Sequence, residues 1–183
     1  GSTSFNLPYQ SVVLVPGPLY HNGPFVFAFY ALCQGNSLIL ERRFDAERTL
    51  ELVEKHRVES LYQVPTMMHR IWQLPTENRE KYDLSSLKAL WHLAAACPAW
   101  LKDAFIEWLG AEVIWELYGG TEGQGRTIIS GREWLTHRGS VGRPHDCEMK
   151  ILDDEGNEVD PGEIGEIYMR PSSGRAVYKY VGA

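Results

Sequence analysis

Between residues 11 and 122, short apolar runs alternate with stretches whose apolar residues return at helical spacing. Ser11 to Val15 is a continuous run closed by Pro16-Gly17-Pro18, as expected of a strand covered on both faces in a parallel sheet. Phe25 to Leu32 reads as a helix with no polar face, stopped near Gly35. Ser37 to Leu40 reads as another short buried strand. Asp45 suits the cap of a helix carrying Ala46, Leu50 and Val53 inward, with Val58 continuing the pattern. Leu61 to Val64 predicts a strand, and Pro65 suits the first position of the helix after it. Leu87 to Leu93 predicts a strand, and Pro98 opens a helix through Leu101, Phe105 and Leu109 that Gly110 stops. Val113 to Leu117 predicts a strand that ends in Tyr118-Gly-Gly-Thr-Glu122.

This alternation predicts an α/β fold, a parallel sheet with helices on both faces. The pattern changes after about residue 125. Cys147 to Leu152 and Gly165 to Arg170 alternate as strands around the turn Asp153-Asp-Glu-Gly-Asn157, which predicts an antiparallel hairpin. The expected organisation is an α/β subdomain over residues 1–125 and the start of a β-rich subdomain over 126–183.

Composition narrows the picture. The chain has 183 residues, 44% hydrophobic and 23% charged, which excludes a disordered or low-complexity segment. A net charge of −6 argues against a nucleic-acid partner. Cys33, Cys97 and Cys147 stand far apart, as in neither a disulfide scaffold nor a metal site, and fit the reducing cytoplasm. Residues 1–40 carry no Asp, Glu, Lys or Arg, yet the longest apolar run there is Phe25 to Cys33. A membrane span needs about 20 such residues, so a buried strand and a buried helix are expected instead.

Common catalytic patterns are absent. There is no G-x-x-x-x-G-K-[ST] loop and no H-E-x-x-H, and Gly139-Ser-Val-Gly142 is not a nucleophile elbow. Tyr118-Gly119-Gly120-Thr121-Glu122-Gly123 remains, at the carboxyl end of a strand where α/β sheets bind ligands. Tyr118 offers a flat face for a base, Gly119 and Gly120 allow close backbone approach, and Thr121 offers a hydroxyl to a phosphate. Glu122 offers a hard oxygen to Mg²⁺. A glycine-rich turn with a solvated Glu accounts equally for the same residues.

The segment resembles the Y-G-x-T-E motif of the adenylate-forming superfamily, which includes acyl-CoA synthetases. Four further segments agree in order: Val13 to Asn22 with its Pro-Leu-Tyr-His21, Val64-Pro-Thr66, Gly139-Ser-Val-Gly-Arg-Pro144, and Gly162 to Arg170. Together they span about residues 10–175. The resemblance implies that ATP activates a carboxylic acid to acyl-AMP, whose acyl group passes to coenzyme A. It gives Thr121 and Glu122 catalytic roles, Glu122 as the Mg²⁺ ligand. It puts the nucleotide against Tyr118, Gly119, Gly120, Thr121, Ala96 and Cys97, and the acid against His21, His92, Gly119 and Gly120. His21 would gate the carboxylate pocket; a polar residue leading into a helix is the other reading. The aromatics of the helix after it would line that pocket or simply fill a core. The second subdomain would begin a distorted barrel.

Departures matter. Ala94-Ala-Ala-Cys-Pro98 stands where the family has S-G-G-A-P. Gly1-Ser-Thr-Ser4 is only a faint echo of the family's phosphate loop, with no Lys. The ribose-binding Asp and the lid carrying the catalytic Lys have no counterpart in these residues. The expectation is an internal piece of an acyl-CoA ligase, inactive alone and prone to self-association. A non-catalytic nucleotide-binding module, or an adenylation domain serving a carrier protein, are the competing readings.

Overall fold

The structure, a computed structural model, describes residues 10–174, 178, 179 and 181. The Gly1–Ser4 segment lies outside them. The chain runs β1 (Val12–Val15), α1 (Asn22–Cys33), β2 (Ser37–Leu40), α2 (Ala46–His56), β3 (Ser60–Gln63), α3 (Pro65–Trp72), α4 (Thr76–Arg79), β4 (Ala89–His92), α5 (Ala99–Leu109) and β5 (Ile114–Gly119). Then follow β6 (Arg126–Ser130), α6 (Gly131–Thr136), β7 (Arg143–His145), β8 (Cys147–Leu152) and β9 (Glu166–Pro171). The local signals act as expected. The Asp45 carboxylate accepts from the Arg48 N–H at 2.8 Å, Pro65 opens α3, and Gly110 stops α5 at φ 95°.

Seven strands form one sheet in the order β2-β1-β3-β4-β5-β6-β7. β1 to β5 are parallel, as the sequence predicts. The sheet divides the core in two, because successive strand residues face opposite sides. On one face Leu14, Leu61, Leu90 and Ile114 pack with Leu50, Val53, Met68, Ile71, Leu101 and Phe105. On the other, Val13, Val15, Tyr62 and Trp91 pack with Phe27, Ala28 and Ala31 of α1. Coverage on both sides explains the uninterrupted apolar run of β1 and the buried Ala89-Leu-Trp of β4.

Two features differ from the sequence expectation. β6 and β7 carry the sheet past residue 125 as antiparallel strands. Neither they nor α6 gave a strong apolar signal. α6 nonetheless has a full capping box, with Ser130 and Glu133 exchanging hydrogen bonds across its first turn. The antiparallel pair β8–β9 forms a separate small sheet, as expected for that hairpin. Finally, the charge-free opening is not all buried. β2 is an edge strand with partial exposure, and α1 turns Phe25 (52% exposed), Phe29 (54%) and Leu32 (58%) outward. A helix apolar all round has only one face against this sheet, so the rest has nothing to pack on.

Candidate functional site

A cleft of about 610 Å³ opens at the carboxyl ends of the parallel strands. Its size falls in the ordinary range for small-molecule sites. Its floor is the hairpin that joins β5 to β6. Tyr118 and Gly119 belong to β5 rather than to a loop, and the turn runs from Gly120 to Gly125. Gly123 N–H donates to the Gly120 carbonyl at 3.2 Å inside that turn. Gly119, Gly120, Thr121, Gly123 and Gly125 all line the cleft. Gly119 is required sterically, and Gly120 leaves room for the side chains folded over it. A Cβ at Gly119 would sit 2.9 Å from the Gly125 carbonyl oxygen, and one at Gly120 would sit 2.6 Å from the Gln124 amide. A ligand can therefore lie directly on backbone.

The facing wall is α1, which contributes Asn22, Gly23, Val26, Phe27 and Tyr30. The turn after β4 adds Leu93 and Ala94. Ala94 adopts φ 73°, a left-handed conformation that costs a non-glycine residue about 1–3 kcal/mol. The wall is thus mainly apolar, and the floor between Gly119 and Gly125 is mainly backbone.

The residues singled out from the sequence fall into two groups. Gly119, Gly120 and Thr121 meet in the cleft. Tyr118 and Glu122 neighbour it without lining it; Tyr118 is 40% exposed. His21 is exposed at the start of α1, its ring 4.7 Å from that of Tyr20. Ala96 is exposed in the turn before α5 and Cys97 is half-buried there; neither lines the cleft. Burial pushes the Cys97 thiol up to about 11, which makes it an inert side chain. His92 is wholly buried on the sheet face opposite α1, away from the cleft.

His92 belongs instead to a buried polar layer that the sequence did not announce. The strand registers set Gln63, His92 and Glu116 side by side on adjacent strands. Lys102 of α5 donates to the Glu116 carboxylate, and both side chains are buried, 3% and 9% exposed. Neither His92 ring nitrogen has a hydrogen-bond partner among the described residues. Burial, then the nearby Lys102 charge, push the imidazole down to about 3, so it is neutral at pH 7. The available signal was a Lys amid the apolar positions of one helix and a Glu amid those of a strand. Arg126, His145 and Asp146, which also line the cleft, were missed because β6 and β7 were.

Among the described residues no cluster of three or more His, Cys, Asp or Glu could hold a metal alone. Glu122 is a single carboxylate beside the floor, its Oε2 2.9 Å from where a Gly120 Cβ would lie. That fits Mg²⁺, which is commonly bound by one or two carboxylates together with substrate phosphates. No helix among the described residues is long and apolar enough to cross a membrane.

The profile of the AMP-binding enzyme family matches residues 1–178. The 4-coumarate–CoA ligase-like 9 protein of Arabidopsis thaliana is 32% identical over 165 residues, 88% of this chain and 29% of that protein. A feruloyl-CoA synthase of Amycolatopsis sp is 32% identical over 157 residues, 84% of this chain and 31% of that one. Among solved structures, the amide bond synthetase McbA of Marinactinospora thermotolerans superposes with a TM-score of 0.80 at 27% identity, covering 93% of this chain and 34% of that one. The chain thus spans about three tenths of the length of the curated relatives it matches.

Proposed function

Since the chain belongs to the AMP-binding enzyme family, we propose that it forms the nucleotide- and acyl-binding cleft of a carboxylic acid–coenzyme A ligase. The observation that carries this reading is the bare glycine floor facing an apolar helix at the carboxyl ends of parallel strands. An acid's hydrocarbon lies against Val26 and Phe27, and its carboxylate reaches the floor. The carboxylate oxygen attacks the α-phosphorus of ATP, the bond to the β-phosphate oxygen breaks, and pyrophosphate leaves. The coenzyme A thiolate then attacks the acyl carbon and AMP leaves. This chain's residues mainly position the reactants. Tyr118 offers its ring to adenine, the Gly119–Gly120 backbone follows the acyl phosphate, and the Thr121 hydroxyl donates to the α-phosphate. Glu122 would hold Mg²⁺, whose role when bound is to neutralise phosphate charge.

The same reading takes residues 1–125 as an α/β subdomain and 126–183 as the start of a β-rich one, within a longer cytoplasmic ligase. Three free cysteines agree with that compartment. Coenzyme A is the proposed acceptor because the curated relatives described above are named for it. The exposed apolar face of α1 is proposed to be covered in the longer protein and to promote self-association of this chain alone.

Two measurements test the reading. ATP–pyrophosphate exchange with a panel of carboxylic acids is expected at background for the 183-residue chain and well above it for the full-length protein. Clear exchange by the chain alone would refute the incomplete-site argument; none by the full-length protein would refute acid activation. In the full-length protein Glu122→Ala is expected to reduce kcat/KM for Mg-ATP by about 10²–10³-fold, as for loss of one group that stabilises transition-state charge. An unchanged Mg²⁺ dependence would remove Glu122 from the metal.

A further inference from the structure

Beside the glycines, the floor of the cleft carries a polar cluster, and nothing in the activation step uses it. Arg126 opens β6, and its register sets it beside Gly119 of β5 on one side and His145 of β7 on the other. Two residues along, Ile128 packs with Leu117 on the α1 side of the sheet. Alternation therefore puts Arg126 on that side too, in the cleft floor facing Val26 and Phe27.

The arginine is fixed in place. Its Nη2 donates to Asp146 Oδ2 at 3.0 Å, and His145 Nδ1 lies 2.9 Å from the same oxygen. Asp146 holds this position with φ 58°, left-handed backbone that a non-glycine residue adopts at a cost. An aspartate and a histidine that together orient a charged group lining a cleft point to recognition.

The chemistry of the group recognised follows. Arg only donates hydrogen bonds, through a rigid fork of five N–H groups, so its ligand must accept them. Asp146 already balances the arginine's charge, so a second carboxylate gains little net attraction and meets the aspartate. A neutral oxygen gains a hydrogen bond to a charged donor with no such opposition. We propose that Arg126, oriented by Asp146 and His145, is a specificity-determining residue that binds a neutral oxygen (keto, hydroxyl or ether) on the body of the carboxylic acid. The inference rests on the acid-activating reading above.

The test uses the full-length protein and pairs of acids differing by one oxygen, such as cinnamic and 4-methoxycinnamic acid, or octanoic and 7-oxooctanoic acid. Pyrophosphate release gives kcat/KM for each. In at least one pair the oxygenated member is expected to be preferred by about 10- to 100-fold, the range of a hydrogen bond to a charged group. Arg126→Leu should bring that ratio to about one, mainly through KM. Arg126→Gln, which keeps a donor, should retain part of it, and this intermediate ratio separates recognition from mere damage to the fold. The absence of any preference in the unmodified protein would overturn the proposal. So would an equal loss for both members in Arg126→Leu, which would assign Arg126 to the reacting carboxylate or the phosphates. Preference for a dicarboxylic acid over both members would overturn the neutral-oxygen assignment. No pyrophosphate release with any acid would instead defeat acid activation itself, and this proposal with it.

Discussion

Replacing Lys102 by Met is expected to cost about 3–5 kcal/mol of folding stability, the range for removing one partner of a buried ion pair. The ammonium and the Glu116 carboxylate are 3% and 9% exposed, so neither is rescued by water when the other is lost. Methionine keeps much of the volume and removes the charge. Glu116 is then left buried beside neutral His92 and Gln63, with no cation to meet it. The attraction of the pair is largely offset by the desolvation of two ions. Replacing both, as Lys102→Met with Glu116→Leu, should therefore recover most of the single-variant loss. Urea denaturation of the chain measures all three. A loss below about 1 kcal/mol in Lys102→Met would mean that the pair behaves like a surface one. The pair joins the first turns of α5 to β5, so the same variant should also loosen the turn that carries Ala94 into the cleft.

The second large effect is acid lability set by His92. The unfolded chain takes up a proton at this histidine near pH 6.5, while the folded chain resists it down to about 3. The folded value is the lower one. The stabilisation is therefore complete above 6.5, falls as pH drops through the interval, and stops falling near 3. The slope is about 1.4 kcal/mol per pH unit. Carboxylates contribute over part of the same range, so the informative quantity is the difference between the chain and its His92→Leu variant. Between pH 6 and pH 4 that difference should change by about 2–3 kcal/mol in favour of the variant. A flat difference would mean that the imidazole protonates in the folded state.

Legibility in the sequence followed burial. Strands β1, β3 and β4 are buried on both faces and β5 at its start, so their existence and parallel direction could be anticipated from mostly apolar segments, whereas their order in the sheet could not. Arg-Thr-Ile-Ile-Ser of β6 and Arg-Pro-His of β7 carry no such runs. Their pairing depends on the Gly120–Gly125 turn bringing the chain back, a geometric fact that no periodicity encodes. The glycine floor was readable because Gly119 lies too close to the Gly125 backbone oxygen, 2.9 Å from a Cβ, for any other residue. The Arg126–Asp146–His145 cluster was not, because it is made by register between strands that were not foreseen. His92 misled for a related reason. Its neighbour in sequence, Leu93, lines the cleft, whereas the strand's alternation turns His92 to the other face.

The reversal of direction at β5 has one more consequence. Because β6 returns alongside β5, the glycine floor is held at both ends by the same sheet, paired from Gly119–Arg126 through to Trp115–Ser130. The opposing wall, α1 with the turn after β4, presents mainly side chains to the cleft. On the proposed function, the reacting groups lie on backbone, while selectivity is shared between the side chains of α1 and Arg126, parts with different tolerance for change. On that reading, randomising Val26 and Tyr30 in the full-length protein should change acid preference with ATP–pyrophosphate exchange retained, and Gly119 to Gly125 is the stretch that a protein engineer should leave alone.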